Sequence, residues 1–479
     1  MSLLASREIT DPRSNLRKRP AVFLTVLILS LFALTIRLWK IHYGLPYFDY
    51  SDELRYAFIS INMGGGDLNP HFFLHPSLFF YLWFAGDVFY VLIQIVKGTF
   101  HSARDAWGFY LSHPTAFHLI GRGVSALMGT LTVPLTYLLG REVLNKRIGL
   151  LASFFVTFSF LHIQLSQMAY LDTTLTFFMT LAFLFAFCAA KTGKLRYFIL
   201  CGLAGGLSLS SKYNGFPSFL LGPLACVYYA WDRKKSIWEE LVSRKFFLFC
   251  FFFLFGFTAG TPFWILDFPK FKTDFLWTWG HYKTTGKGQF GYEGNGNWLY
   301  YLKGPLTYGY GLPLVIFGIL GMIGLLRKPK DKEAFLAVFP ALYFFIAGFS
   351  KIHAPRYMVP LTPFLCLAAA TLMEWILNRL DLKKKKKGNW LLAFAGALII
   401  LPSMANTVRM AYLRTQPETR FMAYEWVQQN LPKGSEILYS DYGLCRYCTR
   451  DYKARHIDPT IFDTRIENVS SLKTLEEYK

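Results

Sequence analysis

The stretch from Tyr47 to Tyr81, YFDYSDELRYAFISINMGGGDLNPHFFLHPSLFFY, follows the first long apolar run of the chain. It places Asp49, Asp52 and Glu53 within a few residues of a predicted membrane surface. Hydrocarbon offers no hydration, so an acidic residue at the edge of a bilayer needs a partner or a function. We interpret this stretch as a candidate functional site, and an ordinary solvated loop is the alternative.

The composition is that of a polytopic membrane protein. Of the 479 residues, 53% are hydrophobic and 18% are aromatic, and the mean hydropathy is positive, which excludes an ordinary soluble protein. The formal net charge of +21 lies mainly in short gaps between apolar runs, where it sets membrane orientation, so we predict no nucleic-acid partner. The basic N-terminus precedes an apolar run without a small-residue cleavage site, which indicates a retained membrane helix.

Apolar runs of roughly 16 to 24 residues predict the spans. They lie near residues 20–40, 118–140, 148–169, 172–190, 197–212, 214–231, 246–265, 306–326, 334–350, 357–378 and 390–411. With the N-terminus inside, every alternate gap is basic, including the run Lys383 to Lys387, which is either an orientation signal or a lipid-binding patch. The run from Ser77 to Val96 breaks this alternation, so we place it as a juxtamembrane or re-entrant helix on the outer face, beside a cavity.

These runs divide the chain into three parts. Residues 1–19 form a cytoplasmic N-terminus, residues 20–411 an all-α membrane domain of about eleven helices, and residues 412–479 a small extracytoplasmic α/β domain. The membrane domain has a first outer loop at 41–117 and a second at 266–305, whose glycines, lysines and aromatics suggest an anionic partner. The α/β domain is predicted from a helix over Glu418 to Asn430 and a strand over Glu436 to Tyr439.

The tail also contains Cys445 and Cys448, the one close cysteine pair of the chain. The pair is a disulfide, half of a metal site, or a chance occurrence. No second cysteine pair or nearby histidine pair supports a structural zinc site. The sequence has no phosphate-binding loop, nucleotide-binding glycine fingerprint or zinc-protease motif.

Isolated polar residues converge on the outer side of the predicted bundle. Taken singly, each can be read as a helix cap, a snorkelling lysine or an interfacial anchor. Together they predict an outer cavity with two or three carboxylates and a ring of cations. They are Asp172 in MAYLDTTLTFF, Lys212 in SSKYNGF, and Lys351, His353 and Arg356 in SKIHAPRYMVPL.

This set of side chains suits a substrate with an anionic head and a long apolar tail. Arginine and lysine bind phosphate oxygens, and a nearby carboxylate can act as general base toward a hydroxyl. The cations also stabilise charge on a departing phosphate. The chemistry implied is transfer of a lipid-phosphate-linked group to a hydroxyl outside the cytoplasm. A transporter or flippase for polyprenyl lipids, or a binding protein, is the alternative.

The motif SDELRYAFISINMGGGDLNPHFFLHPSLFFYL resembles the first-loop signature of the polyprenyl-phosphate-sugar-dependent membrane glycosyltransferases. This group includes dolichyl-phosphate-mannose protein mannosyltransferases and lipid A aminoarabinose transferases, which share the GT-C fold. The resemblance extends over roughly residues 20–380 through GRGVSALMGTLTVPLTYLLGREV, QMAYLDTTLTFFMTLAF, SKYNGF and APRYMVPLTPF. It implies an inverting transferase in the inner (plasma) membrane, with its site facing outward and no glycosyl-enzyme intermediate.

The resemblance also assigns roles to residues. It makes Asp52 the catalytic base and Glu53 a second catalytic residue in a supporting or acceptor-positioning role, and it makes His75 and Arg356 candidates for the lipid phosphate. The further substrate-binding candidates are Arg55, Tyr56, Asp172, Lys212, Lys351 and His353.

The resemblance also implies partners, and in one place the chain departs from the family. Leu74 stands where the aminoarabinose transferases have a glutamate implicated in metal binding, so no cofactor is predicted and a divalent metal stays open. The implied partners are a polyprenyl-phosphate-linked sugar donor, a protein, glycan or lipid acceptor, and the bilayer.

Overall fold

The computed structural model describes residues 12–45, 51–284, 297–329, 331–380, 388–440 and 453–457. The first half of the chain folds into helices α1 (Pro12–Leu38), α2 (Ser51–Met63), α3 (Leu78–Val96), α4 (Asp105–Ser112), α5 (Thr115–Val143), α6 (Lys146–Phe158), α7 (Phe160–Ser166), α8 (Asp172–Thr192), α9 (Leu195–Ser211), α10 (Leu221–Arg233), α11 (Ile237–Leu241) and α12 (Arg244–Gly260).

The second half adds nine helices and two strands. They are α13 (Phe263–Leu266), α14 (Phe268–Thr284), α15 (Asn297–Tyr301), α16 (Thr307–Tyr310), α17 (Leu312–Leu326), α18 (Phe335–Gly348), α19 (Thr362–Arg379), α20 (Gly388–Leu413), α21 (Thr419–Asn430), β1 (Glu436–Ser440) and β2 (Lys453–Ile457). Short 3₁₀ segments precede α10, α18 and α19, and a π-helical turn, Leu302–Leu306, joins α15 to α16.

The described helices are those of a multi-pass membrane protein. Seven of them are long and apolar enough to cross a bilayer, and the number rises to nine if each of two bent pairs is one span. The predicted eleven crossings include shorter helices such as α9 and α18, so that number stays a prediction. Helix α3 passes the same length test, and its predicted place on the outer face is likewise still a prediction.

Several predicted spans are broken rather than continuous. The span predicted at 148–169 consists of α6 and α7, which meet at an angle of 59°, and the span predicted at 306–326 bends by 117° before α17. Gly311 sits at the second bend with φ 84°, a backbone conformation that glycine adopts without steric cost. The spans predicted at 214–231 and 357–378 begin as 3₁₀ segments containing Pro217 and Pro360, because proline removes a backbone donor.

Side chains from distant helices satisfy the backbone at the break between α6 and α7. The Ser403 hydroxyl of α20 accepts a hydrogen bond from the amide of Phe160 at 2.7 Å and donates to the carbonyl of Phe158 at 3.0 Å. Arg37 of α1 donates to the carbonyl of Val156 at 3.4 Å. Irregular backbone at membrane depth is stable where protein satisfies it in this way.

Glycines let α9 and α12 approach closely. A Cβ atom at Gly202 would lie 2.4 Å from the carbonyl oxygen of Phe249, and one at Gly206 would lie 2.1 Å from that of Phe253. The two glycines are four residues apart and therefore lie on one face of α9, the small-residue spacing found where membrane helices pack tightly. This contact fixes α9, whose C-terminal end leads directly to Lys212.

The core surrounds the segment formed by the 3₁₀ turn Pro355–Leu361 and α19. Of the 18-residue apolar window within this segment, 83% is buried, the largest share among the candidate spans. Arg356 therefore stands at the head of the most enclosed helix of the described bundle. Arg356, which the sequence alone allows as an interfacial anchor, is therefore partly enclosed by the bundle.

The tail is described in two pieces. Helix α21 and strand β1 form where the sequence predicted a helix and a strand, and β1 pairs in parallel with β2, Glu436 opposite Lys453. Cys445 and Cys448 lie outside the described residues, as does Asp49 of the acidic stretch. The small α/β domain as a unit, and the state of the cysteine pair, stay predictions.

Candidate active site

The two acids of the first-loop motif occupy the first turn of α2 but have opposite environments. Acidic residues are favoured there because the amides of a helix N-terminus carry partial positive charge. The side chain of Asp52 is 33% exposed, whereas that of Glu53 is 1% exposed. Of this pair, only Asp52 is open to a substrate.

Asp52 forms an ion pair with Arg356. The Nη1 atom of Arg356 lies 3.2 Å from Oδ2 of Asp52, and its guanidinium stacks over the Tyr170 ring at 5.2 Å. The Nε atom of Arg356 is buried and has no hydrogen-bond partner in the part of the chain that the structure describes. The arginine thus holds the carboxylate with one nitrogen and keeps another donor uncommitted.

Asp172 and Lys212 form a second, fully buried pair. The Nζ atom of Lys212 lies 2.6 Å from Oδ1 of Asp172 and faces the Tyr357 ring at 5.1 Å. Asp172 begins α8 and Lys212 directly follows α9, so the antiparallel packing of these two helices brings the charges together. Burial lowers the pKa of Lys212, and the Asp172 carboxylate opposes that change by stabilising the ammonium.

Glu53 points into a buried ion-pair network instead of the open part of the site. Its Oε1 accepts hydrogen bonds from Nε of Arg122 at 2.8 Å and from Nδ1 of His118 at 3.2 Å. Arg122 also donates to the carbonyls of Ile41 and Tyr43 at 2.6 and 2.9 Å. These contacts favour a positioning role for Glu53, which joins α2 to α5 and to the turn after α1, over its predicted catalytic role.

His75 packs beside Tyr56 at the same site. The two rings meet edge-on, 5.9 Å apart, and Tyr56 is buried. Burial and the charge of Lys212 hold the pKa of the His75 imidazole well below its usual range, although the Asp52 charge opposes this. His75 is therefore neutral at physiological pH and offers one donor and one acceptor nitrogen but no charge.

The loop that contains His75 is fastened to α14. The amide of Phe73 donates to Oδ2 of Asp274 at 2.8 Å, and the Thr278 hydroxyl donates to the carbonyl of Leu74 at 3.3 Å. The Tyr213 hydroxyl donates to the carbonyl of Phe73 at 2.7 Å. These bonds fix the backbone of Phe73 and Leu74 directly before His75 and so place the His75 ring.

The remaining predicted residues lie at or beyond the edge of this cluster. Arg55 is exposed and lies over the Phe72 ring at 5.7 Å. Lys351 is exposed, and its backbone amide donates to the carbonyl of Tyr282 at 3.1 Å. His353 is buried between Tyr300 and Tyr301, with ring centroids 5.3 and 6.1 Å away.

Sequence reasoning missed the partners of the charged residues. These are Tyr170 and Tyr357 beside the cations, and His118 and Arg122 beside Glu53. A signal was present for the second pair, because two basic residues four apart on an apolar helix occupy one face and need an acid. Both tyrosines lie within two residues of a predicted site residue.

The arrangement combines one accessible carboxylate with two cations and a neutral imidazole. Such a site can take a proton from a hydroxyl and stabilise an anion that departs nearby. Within the described residues, no group of three or more His, Cys, Asp or Glu side chains is arranged to hold a metal ion.

Comparisons with known proteins agree with this fold. Residues 98–275 match the family described as dolichyl-phosphate-mannose-protein mannosyltransferase. The fold is similar to that of ArnT from Cupriavidus metallidurans bound to undecaprenyl phosphate, with a TM-score of 0.58, 16% identity and coverage of 93% of this chain and 91% of that one. These matches confirm the predicted resemblance to the polyprenyl-phosphate-dependent membrane glycosyltransferases with the GT-C fold.

Two further proteins make the similarity more specific. The chain is 27% identical over 403 residues to undecaprenyl phosphate-alpha-4-amino-4-deoxy-L-arabinose arabinosyl transferase 1 of Pseudomonas fluorescens, covering 79% of this chain and 66% of that protein. It also resembles the archaeal oligosaccharyltransferase AglB from Archaeoglobus fulgidus in complex with an inhibitory peptide and a dolichol-phosphate. That match has a TM-score of 0.57 and 13% identity, and it covers 91% of this chain and 65% of AglB. The chain thus spans about two thirds of the length of these two relatives.

Proposed function

We propose that this protein is an inverting glycosyltransferase that moves a sugar from a polyprenyl-phosphate-linked donor to a hydroxyl acceptor. The observation that carries the proposal is the pairing of Asp52, the accessible acid of the site, with Arg356 at 3.2 Å. The names of the matched family and relatives support a polyprenyl-phosphate-linked donor, since each name mentions dolichyl phosphate or undecaprenyl phosphate.

Asp52 is the general base in this proposal. Glu53 and Asp172 are each 1% exposed and each is bound to a cation, so neither can meet an acceptor hydroxyl without breaking a buried ion pair. Asp52 is 33% exposed, so an acceptor hydroxyl can reach its carboxylate while Arg356 holds Oδ2 at 3.2 Å.

Arg356, Lys212 and His75 form the phosphate side of the site. The Nε donor of Arg356, which has no partner among the described residues, suits a phosphate oxygen, and guanidinium groups bind phosphate in two-point geometry. His75 adds a neutral hydrogen bond. In the transfer step the acceptor oxygen attacks the anomeric carbon while Asp52 takes its proton. The bond from that carbon to the phosphate oxygen breaks, and polyprenyl phosphate leaves as the anion that the cations stabilise.

A single displacement inverts the configuration at the anomeric carbon. Among the described acids of the site, Asp52 is accessible, whereas Glu53 and Asp172 are each 1% exposed and bound to a cation, which supports direct attack. A covalent sugar trapped on Asp52 or Glu53 would contradict this step.

The site is assigned to the extracytoplasmic face of the inner (plasma) membrane, within a membrane domain of about eleven crossings. The basic gaps support this orientation, because the start of α8 and the end of α9 lie opposite the basic gap at Lys191 and Lys194. The alternative of a transporter or flippase predicts paired inverted halves with broken helices at the midplane. The two ion pairs of the site, Asp172–Lys212 and Asp52–Arg356, lie instead at one end of the bundle, where α8 begins and α9 ends.

Asp52→Asn tests the proposal because it removes the base and keeps the shape of the side chain. The purified chain is assayed in detergent for release of undecaprenyl phosphate from undecaprenyl-phosphate-linked aminoarabinose, and of dolichyl phosphate from dolichyl-phosphate mannose, with hydroxyl acceptors present. We expect Asp52→Asn to reduce turnover by a factor of about 10² to 10⁴ or more.

The matched control is Asp331→Asn, since Asp331 is exposed and lies outside the site. We expect this variant to keep its turnover. Near-normal turnover of Asp52→Asn would move the base to another acid, Asp49 first. If the wild-type protein releases polyprenyl phosphate from neither donor, the enzyme assignment is wrong.

A further inference from the structure

His353 is a buried imidazole whose two nitrogens both have no hydrogen-bond partner among the residues that the structure describes. The residue is 4% exposed, and nothing in the proposed transfer step uses it. A buried polar group without a partner costs free energy, so such groups are rare in native proteins and point to a ligand or a bound water.

The surroundings of His353 are aromatic. Tyr300 is half-buried and Tyr301 is fully buried, and their rings lie 5.3 and 6.1 Å from the imidazole. No acid forms an ion pair with His353 in the described part of the chain, and burial lowers the pKa of the imidazole. His353 is therefore neutral, with one nitrogen that donates a hydrogen bond and one that accepts.

His353 is also close to the phosphate side of the site. His353 lies three positions before Arg356 in the chain, so the two Cα atoms are at most about 11 Å apart. Ala354 between them is extended, and Pro355 begins the 3₁₀ turn that contains Arg356. A sugar attached to a phosphate at Arg356 would therefore have to extend over no more than this distance to meet His353.

We propose that His353, with the Tyr300 and Tyr301 rings, forms a subsite that hydrogen-bonds hydroxyl groups of the donor's sugar. A neutral imidazole matches sugar hydroxyls, which both donate and accept hydrogen bonds, and the half-buried Tyr300 ring, backed by the buried Tyr301, matches the apolar C–H face of a sugar ring. The Tyr300 side is the route to the imidazole, because Tyr300 is the partly exposed member of the three. This subsite rests on the proposed function and adds the recognition of the sugar to it.

The test compares two lipids on the full-length chain in nanodiscs. One is undecaprenyl phosphate, and the other is the same lipid bearing 4-amino-4-deoxy-L-arabinose. We expect His353→Phe to weaken binding of the sugar-linked lipid about tenfold, the effect of losing one or two hydrogen bonds, and to leave binding of undecaprenyl phosphate unchanged. His353→Gln, which keeps a donor and an acceptor, should recover part of the loss.

Thermal melting of the unliganded protein separates this role from a structural one. Phe fills the space among the tyrosine rings and removes two unpartnered polar atoms, so the melting temperature of His353→Phe should equal or exceed that of the wild type. A merely structural histidine would lower it. His101→Phe, at an exposed histidine outside the site, is the control and should change neither lipid affinity.

The outcomes separate the subsite from the proposed activity. If His353→Phe binds both lipids as the wild type does, weakens both equally, or changes only the acceptor KM, the subsite is wrong whatever the turnover. If the wild type binds the sugar-linked lipid through His353 but does not turn it over, the subsite stands and the transferase assignment falls.

Discussion

The buried network around Glu53 shows how one residue can fix the position of its neighbour in the chain. The carboxylate and the Arg122 guanidinium are 1% and 4% exposed, so neither charge is solvated by water. Because Glu53 is bound on the inner side of α2, the preceding residue, Asp52, is held facing Arg356. We therefore expect the two acids to differ in role according to their burial, with Glu53 anchoring the helix and Asp52 meeting the substrate.

Glu53→Leu is therefore expected to destabilise the fold. It leaves Arg122 buried without its carboxylate, and breaking a buried pair in this way costs about 3–5 kcal/mol of unfolding free energy. The double variant Glu53→Leu with Arg122→Met should recover most of that loss, since no unpaired charge is left. Thermal melting in detergent measures both, and equal losses in the single and double variants would contradict the anchoring role.

The same carboxylate predicts a pH dependence of stability. Burial raises the pKa of Glu53, but the His118 and Arg122 contacts outweigh it and leave the pKa below its ordinary value. A lowered folded-state pKa stabilises the fold above the unfolded-state pKa, and this stability is lost as the pH falls through the folded-state value. The melting temperature should therefore fall below roughly pH 4 to 5, and fall less in the double variant.

At the scale of elements, the contact between α9 and α12 controls the position of Lys212. A Cβ atom at Gly206 would lie 2.1 Å from a backbone oxygen of α12, so a methyl group there must push the helices apart. We expect Gly206→Ala to destabilise the protein by about 1–3 kcal/mol and to reduce turnover, because α9 leads directly into Lys212. Melting temperature and lipid phosphate release measure the two effects.

The control is Gly108→Ala in α4, where an added Cβ meets nothing within 4 Å. That change should be neutral or stabilise by up to about 1 kcal/mol, since alanine favours a helix more than glycine does. If Gly206→Ala melts and turns over like Gly108→Ala, the tight approach of the two helices is wrong.

At the scale of the whole molecule, the orientation of the bundle can be tested by labelling. In a protein whose seven native cysteines are replaced, single cysteines are introduced at Lys97, Arg141 and Lys328, which are all exposed. We expect a membrane-impermeant maleimide to label Lys97→Cys on intact cells and to label the other two only after permeabilisation. Labelling of Arg141→Cys from outside would reverse the topology and move the site to the cytoplasm.

The sequence predicted four of the residues that meet at the candidate site but not how they pair. Asp52, Asp172, Lys212 and Arg356 were predicted because a charge at the end of an apolar run is costly unless it has a partner or a function. Their partners depend on which helices touch, and hydrophobic periodicity carries no such information. The assignment of Glu53 as catalytic followed from its adjacency to Asp52, whereas successive helix residues point about 100° apart.

The breaks in the spans escaped prediction for a related reason. Apolar composition continues across Ser159 and Gly311, so a run of hydrophobic residues indicates a span but not where it bends. The bend at Ser159 depends on Ser403, which is more than 240 positions away in the chain. No local window can contain both.

The long separation between Ser403 and the break at Ser159 constrains the order in which the protein folds. When α6 and α7 leave the ribosome, the hydroxyl that will join them has not yet been synthesised, and it arrives only with α20. Until then the amide of Phe160 and the carbonyl of Phe158 must form hydrogen bonds with water or with groups of α6 and α7, because lipid offers neither a donor nor an acceptor. The bend between α6 and α7 is thus stabilised late, and a chain truncated before residue 403 lacks the hydroxyl that satisfies its backbone groups.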